Sequence, residues 1–129
     1  TTSHLAMLRE SSKVAGIKVC LASVIDRSDE TGLDHGNLLM DFTDELIARN
    51  GKALDQIRNE LTDKLGKRAI VEASVTVATF SMLDRIANAI GIPLEKNMVD
   101  MSEDFRGQLG INGYYSAKNT LKNKNLPGS

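Results

Sequence analysis

Between Arg68 and Ile90 the chain carries no glycine or proline, and its apolar positions fall on more than one side. Ile70, Val71, Ala73, Val75, Val77, Ala78, Phe80, Met82, Leu83, Ile86, Ala87 and Ile90 supply them. Apolar residues nearly all round a helix predict burial inside a helical assembly. The pattern therefore predicts one long buried helix over about 67–91, closed by Gly91-Ile92-Pro93. The β-branched residues near its start invite a strand reading of 70–80. That reading fails on length, on the lack of a turn before Ile90 and on adjacent as well as alternate apolar positions.

Two amphipathic stretches precede it. The first starts after Asp34 or Asn37, either of which can cap a helix by accepting from free backbone N–H groups. It carries Leu38, Leu39, Phe42 and Leu46 on one face, with Ile47 beside them, and stops at Asn50-Gly51. The second runs from Ala53 to Leu65 with Leu54, Ile57, Leu61 and Leu65 in one stripe, then Gly66. The short connection predicts an αα-hairpin. Ser3 to Val14 reads as a further helix, with Leu5, Leu8 and Ala15 near one face and Gly16 as its stop. Lys18 to Ile25 is too short for periodicity to separate two helical turns from a strand. Beyond Pro93 loop formers dominate. A short helix is expected from Ser102 to about Gly110, anchored by Phe105 and Leu109, and 116–129 reads as a partly ordered arm. The fold class is all-α, with a helical core over 1–94 and a mostly irregular C-terminal extension over 95–129.

The length of 129 residues fits one domain or part of one. A net charge of −1 gives no electrostatic case for nucleic acid, and three Phe, two Tyr and no Trp offer no platform for stacking bases. No charge-free apolar run approaches the length of about 18 residues that a membrane span needs, since Glu72, Asp84 and Arg85 interrupt the longest. With Cys20 as the single cysteine, no intrachain disulfide forms, which fits a cytoplasmic location.

The stretch from Leu38 to Thr120 resembles the carboxymuconolactone decarboxylase and alkylhydroperoxidase AhpD-like family. The resemblance lies in the succession LLMDFTDELIARN, ALDQIRNELTDKL and AIVEASVTVATFSMLDRIANAIGIPLE, followed by the tail DFRGQLGINGYYSAKNT. It implies an AhpD-like helical fold and a homo-oligomer. In the redox branch of that family the active site is a C-x-x-C motif that opens a helix, with a His three residues after the second Cys. The chain begins Thr1-Thr2-Ser3-His4, so the resemblance puts His4 at the motif's His position and both cysteines just ahead of Thr1. A thiolate at a helix N-terminus is favoured by the helix dipole. The resemblance implies that such a thiolate reduces a peroxide, that the second Cys closes a disulfide, that His4 relays protons and that a separate thiol reductant reopens the bond. The 129 residues lack that dithiol and are expected to be inactive alone. No metal and no cofactor are expected.

Other reactive residue types read as structural. Cys20 lies in an apolar stretch without a second Cys, and buried cysteines of that kind are inert. His35 reads as a polar residue at a helix start. Glu72 sits near a helix start, where the dipole favours an acid. Gly107, Gly110 and Gly113 lack the Lys-Ser/Thr of a phosphate loop. The methionines read as packing. Two further functions stay open: a carboxymuconolactone decarboxylase-type enzyme, which needs no C-x-x-C and predicts a basic pocket for carboxylates, and a non-catalytic helical oligomerisation module.

Overall fold

The computed structural model describes residues 2–123. Among them are seven α-helices, two 3-10 turns and no strand. Helix α1 spans Thr2–Ala15, α2 Gly36–Ala48, α3 Gly51–Leu65 and α4 Lys67–Ile90. After α4 come α5 (Lys96–Met101), α6 (Glu103–Gln108) and α7 (Ala117–Asn123). The 3-10 turns are Leu21–Val24 and Ile111–Gly113. The chain is all-α, as its periodicity indicates, and the stretch 18–25 resolves to one 3-10 turn rather than a strand. Thr1 and 124–129, the end of the expected C-terminal arm, lie outside the described residues.

Helix α1 stops where the sequence says it should. Gly16 takes φ 68°, the Ile17 N–H reaches the Ser12 carbonyl at 2.9 Å and the Gly16 N–H reaches Lys13 at 3.2 Å. This left-handed closure satisfies carbonyls that the helix end would otherwise leave open. Its inner face differs from the expected one. Ala6, Thr2 and Ser12 are buried, whereas Leu8 is partly and Ala15 largely exposed. The face that α1 turns inward is thus made of small residues.

Helices α2, α3 and α4 form a bundle in which each contacts the other two. Two residues join α2 to α3, and Gly66 alone joins α3 to α4. Phe42 and Leu61 are the fully enclosed side chains, with Leu54, Ile57 and Leu46 half-buried around them. Neither Asp34 nor Asn37 caps α2. The capping position is His35 in a left-handed conformation, without a side-chain cap bond. Asn37 lies inside the helix, and its Oδ1 accepts from the Thr31 N–H at 3.0 Å. Thr31 in turn accepts the Cys20 N–H through its carbonyl at 2.9 Å, which ties the preceding loop to the start of α2.

The long helix forms over the expected range, but it is not buried. No residue of α4 is enclosed. Ile70, Ala73 and Val77 are half-covered, while Val71 is 62%, Val75 59% and Ile90 69% exposed. Helices α2 and α3 cover one side of α4 only. An apolar circumference shows that a helix can be enclosed, and how much of it is enclosed depends on how many neighbours it has.

The C-terminal extension is also more regular than expected. From Lys96 onward most described residues are helical, in pieces of six or seven residues. Such pieces are too short to stand alone, and tertiary contact holds them. Helix α5 packs on α1, α6 on α5 and on the turn at Ile111, and that turn on α7. Val99, Ser102, Phe105 and Arg106 are buried there. One side chain joins the two ends of the chain. The Arg9 Nη1 donates to both carboxylate oxygens of Asp104, at 2.9 and 2.7 Å, and Nη2 to the Met101 carbonyl. The Arg9 guanidinium carbon lies 5.0 Å from the Phe105 ring centroid, in cation–π range. Hydrogen bonding to Arg9 holds the Asp104 carboxyl below the usual carboxylate range.

Candidate functional site

The start of α1, the second half of α4 and the segment beyond Pro93 enclose an open cleft of about 1160 Å³. His4 reaches it from the first turn of α1, and Phe80 and Leu83 reach it from α4. The His4 and Phe80 rings meet edge to face, with centroids 4.5 Å apart and planes at 79°. That contact fixes one side of the imidazole against an aromatic wall. The His4 side chain is otherwise exposed, so its nitrogens are open to a ligand or to water.

The remaining wall is mostly apolar. Ile90, Ile92 and Leu94 run along it, and the Leu94 N–H donates to Thr120 Oγ1 at 2.8 Å, which pins the C-terminal helix across the end of α4. Two positive groups stand in this wall. Lys118 places its ammonium 3.3 Å from the Tyr115 ring centroid. Arg106, from α6, is only 4% exposed. Its Nη1 donates to Asn112 Oδ1 at 3.1 Å and its Nη2 to the Val99 carbonyl at 3.0 Å, while Nε has no acceptor. Asp84 and Glu95 belong to the same wall.

Of the reactive residue types marked in the sequence, His4 and Met98 line the cleft. Cys20 is half-buried outside it. His35 is exposed at the start of α2. Glu72 is exposed and pairs with Arg68, Nε to Oε1 at 2.6 Å. Met7 and Met82 are more than half exposed, so they do not fill the core. Among the described residues no three His, Cys, Asp or Glu side chains gather as a metal site would require. No helix among them is long and apolar enough to cross a membrane.

Sequence reasoning did not mark Arg106, Phe80 or Lys118. Tyr115 stands in the turn just ahead of α7 and Lys118 in its first turn, a contact that no periodicity marks. Nothing in the sequence separates Arg106 from an ordinary surface arginine. No protein-family model matches the chain, and neither does any curated protein or solved structure.

Proposed function

We propose that this chain is the helical, histidine-bearing part of an AhpD-like thiol-dependent peroxide reductase of the cytoplasm, with His4 as the proton relay. The observation that carries the reading is the place of His4, exposed on the first turn of a helix, braced by Phe80 and facing a large cleft. An imidazole can both give and take a proton in general acid–base catalysis. In the reaction a thiolate attacks one peroxide oxygen, the O–O bond breaks, and the departing alkoxide takes a proton from the relay. The resulting sulfenic acid condenses with a second thiol, releasing water and leaving a disulfide, which an external dithiol reduces. Cys20 is the single cysteine of the 129 residues, and the reading requires two further thiols, which the resemblance puts ahead of Thr1.

The test begins with the protein from its native source, its N-terminus read and its peroxide consumption measured with excess dithiol. A C-x-x-C directly ahead of Thr1 is expected. Turnover should fall about a hundredfold or more in His4→Gln, with loss of the neutral limb of the pH profile. A native chain without those cysteines, or a His4→Gln enzyme with an unchanged profile, sinks the mechanism.

A second reading, an assembly module, has an observation of its own. Val71, Val75, Met82, Ile86 and Ile90 follow helical spacing along α4 and are all about half exposed or more. Stripes of this kind mark protein contacts, and self-association of the chain through α4 suits both readings. Sedimentation of the wild type against Met82→Glu tests it, and a wild type that stays monomeric at every concentration refutes it.

A further inference from the structure

Among the described residues Arg106 is a buried cation that no carboxylate pairs with. Its side chain is enclosed, yet the two acceptors it meets, Asn112 Oδ1 and the Val99 carbonyl, are both neutral. Only two of the five N–H donors of a guanidinium are spent on them, and Nε meets none. Glu95 shares the cleft wall, and no hydrogen bond or ion pair among the described residues joins it to Arg106. A charge removed from water is normally paired, because desolvation is among the largest penalties a fold can carry. The fold has instead set this one in the wall of a cleft whose other surfaces are mostly aliphatic.

We propose that Arg106 anchors the head group of an amphipathic carboxylate whose aliphatic tail lies along Leu83, Ala87, Ile90 and Ile92. A carboxylate supplies the missing negative charge and the planar, two-oxygen geometry that a guanidinium fork fits best. The apolar wall supplies the reason for a tail: a free small anion gains nothing from it, whereas an alkyl chain leaves water. Lys118 adds positive potential at the same wall, and Glu95 disfavours a second negative group on the ligand, so a monocarboxylate is the class that fits. His4 faces the same cleft. If the redox reading holds, the substrate is an aliphatic peroxide bearing a carboxylate, but binding itself does not depend on that reading.

Calorimetry of the full chain with decanoate, decanol, acetate and decyltrimethylammonium, without peroxide or reductant, separates the two. Decanoate should bind at least tenfold more tightly than each of the others. Arg106→Gln should bring decanoate down to the level of decanol and leave decanol unchanged, while Arg106→Lys retains part of the preference. Decanoate binding no tighter than decanol or the cation overturns the proposal on the wild type alone, whatever the folding of the variants. An unchanged decanoate affinity in folded Arg106→Gln overturns it as well. Peroxide turnover plays no part in this readout, so failure of the redox mechanism and failure of the carboxylate site are distinguishable.

Discussion

Replacing Phe105 by alanine tests whether the two ends of the chain are held together as described. Phe105 is 4% exposed, and its ring carries the Arg9 guanidinium at 5.0 Å. Burial of a phenylalanine contributes about 1.5–3 kcal/mol. The cavity left by truncation raises the loss to about 3–5 kcal/mol. The cation–π contact adds about 0.5 kcal/mol, near the low end because the Arg9 side chain keeps 22% exposure and its bonds to Asp104 and Met101. The expected cost is about 4 kcal/mol, or roughly 15 °C in Tm for a chain of this size. Urea and thermal unfolding followed by helical circular dichroism measure it. Val14→Ala on the same helix as Arg9 is the control, because Val14 is 92% exposed and should change stability by less than about 0.5 kcal/mol. A double-mutant cycle with Arg9→Ala should return an interaction of about 0.5–1 kcal/mol. A Phe105→Ala loss below about 1.5 kcal/mol, or one no larger than that of Val14→Ala, refutes the packing of α6 against the N-terminal helix.

Three further outcomes follow from the same structure. Leu61→Ala empties a fully enclosed site and should cost about 2–5 kcal/mol in urea unfolding, whereas Val71→Ala on the open side of α4 should be near neutral in dilute solution and matter only where chains associate. Gly32→Ala should be far worse than Gly16→Ala: both have positive φ, but a Cβ on Gly32 would sit 2.1 Å from the Lys18 carbonyl oxygen, and one on Gly16 meets open space. The expected losses are about 3 kcal/mol or more against about 1 kcal/mol, and equal melting temperatures for the two variants contradict the loop geometry. The Asp104 carboxyl is depressed by its hydrogen bonds from Arg9, so the pair stabilises the fold above the unfolded carboxylate value of about 3.9 and loses that effect as pH falls through the lower folded value. The difference in Tm between wild type and Asp104→Asn should therefore be constant near neutrality, shrink in the acid range and weaken with added salt.

Helix existence and boundaries were legible where apolar period and glycine punctuation agree. Gly16, Gly66 and Gly91 close α1, α3 and α4 at the expected places, because a left-handed backbone favours the same residue in any context. Burial was less legible. Leu61 and Phe42 occupy the centres of their stripes, but the apolar circumference of α4 told nothing about how many neighbours the fold would bring to it. Beyond Pro93 the expected helix near Ser102–Gly110 forms as α6 with Phe105 buried, but α5 and α7 went unread for a related reason. The helices there are six or seven residues long, below the span over which periodicity can be read, and they depend on α1 from the other end of the sequence. Among the cleft residues, His4 was marked by the resemblance alone. Arg106 was invisible, since its burial depends on a backbone carbonyl seven residues before it and an asparagine six residues after it.

The contact between Arg9 and Asp104 spans 95 residues of sequence. Closing a loop of that length costs about 4 kcal/mol of chain entropy, whereas α2, α3 and α4 are joined by turns of one or two residues. The bundle can therefore assemble from local contacts, and the joining of the two ends is expected to come later, which hydrogen exchange of α1 against α2–α4 would read. The cleft is built across that seam: His4 comes from one end of the chain and Arg106 from the other. Release of α1 alone would part the histidine from the arginine and open the chamber without unfolding the bundle, which makes docking of the N-terminal helix the step that completes the cleft.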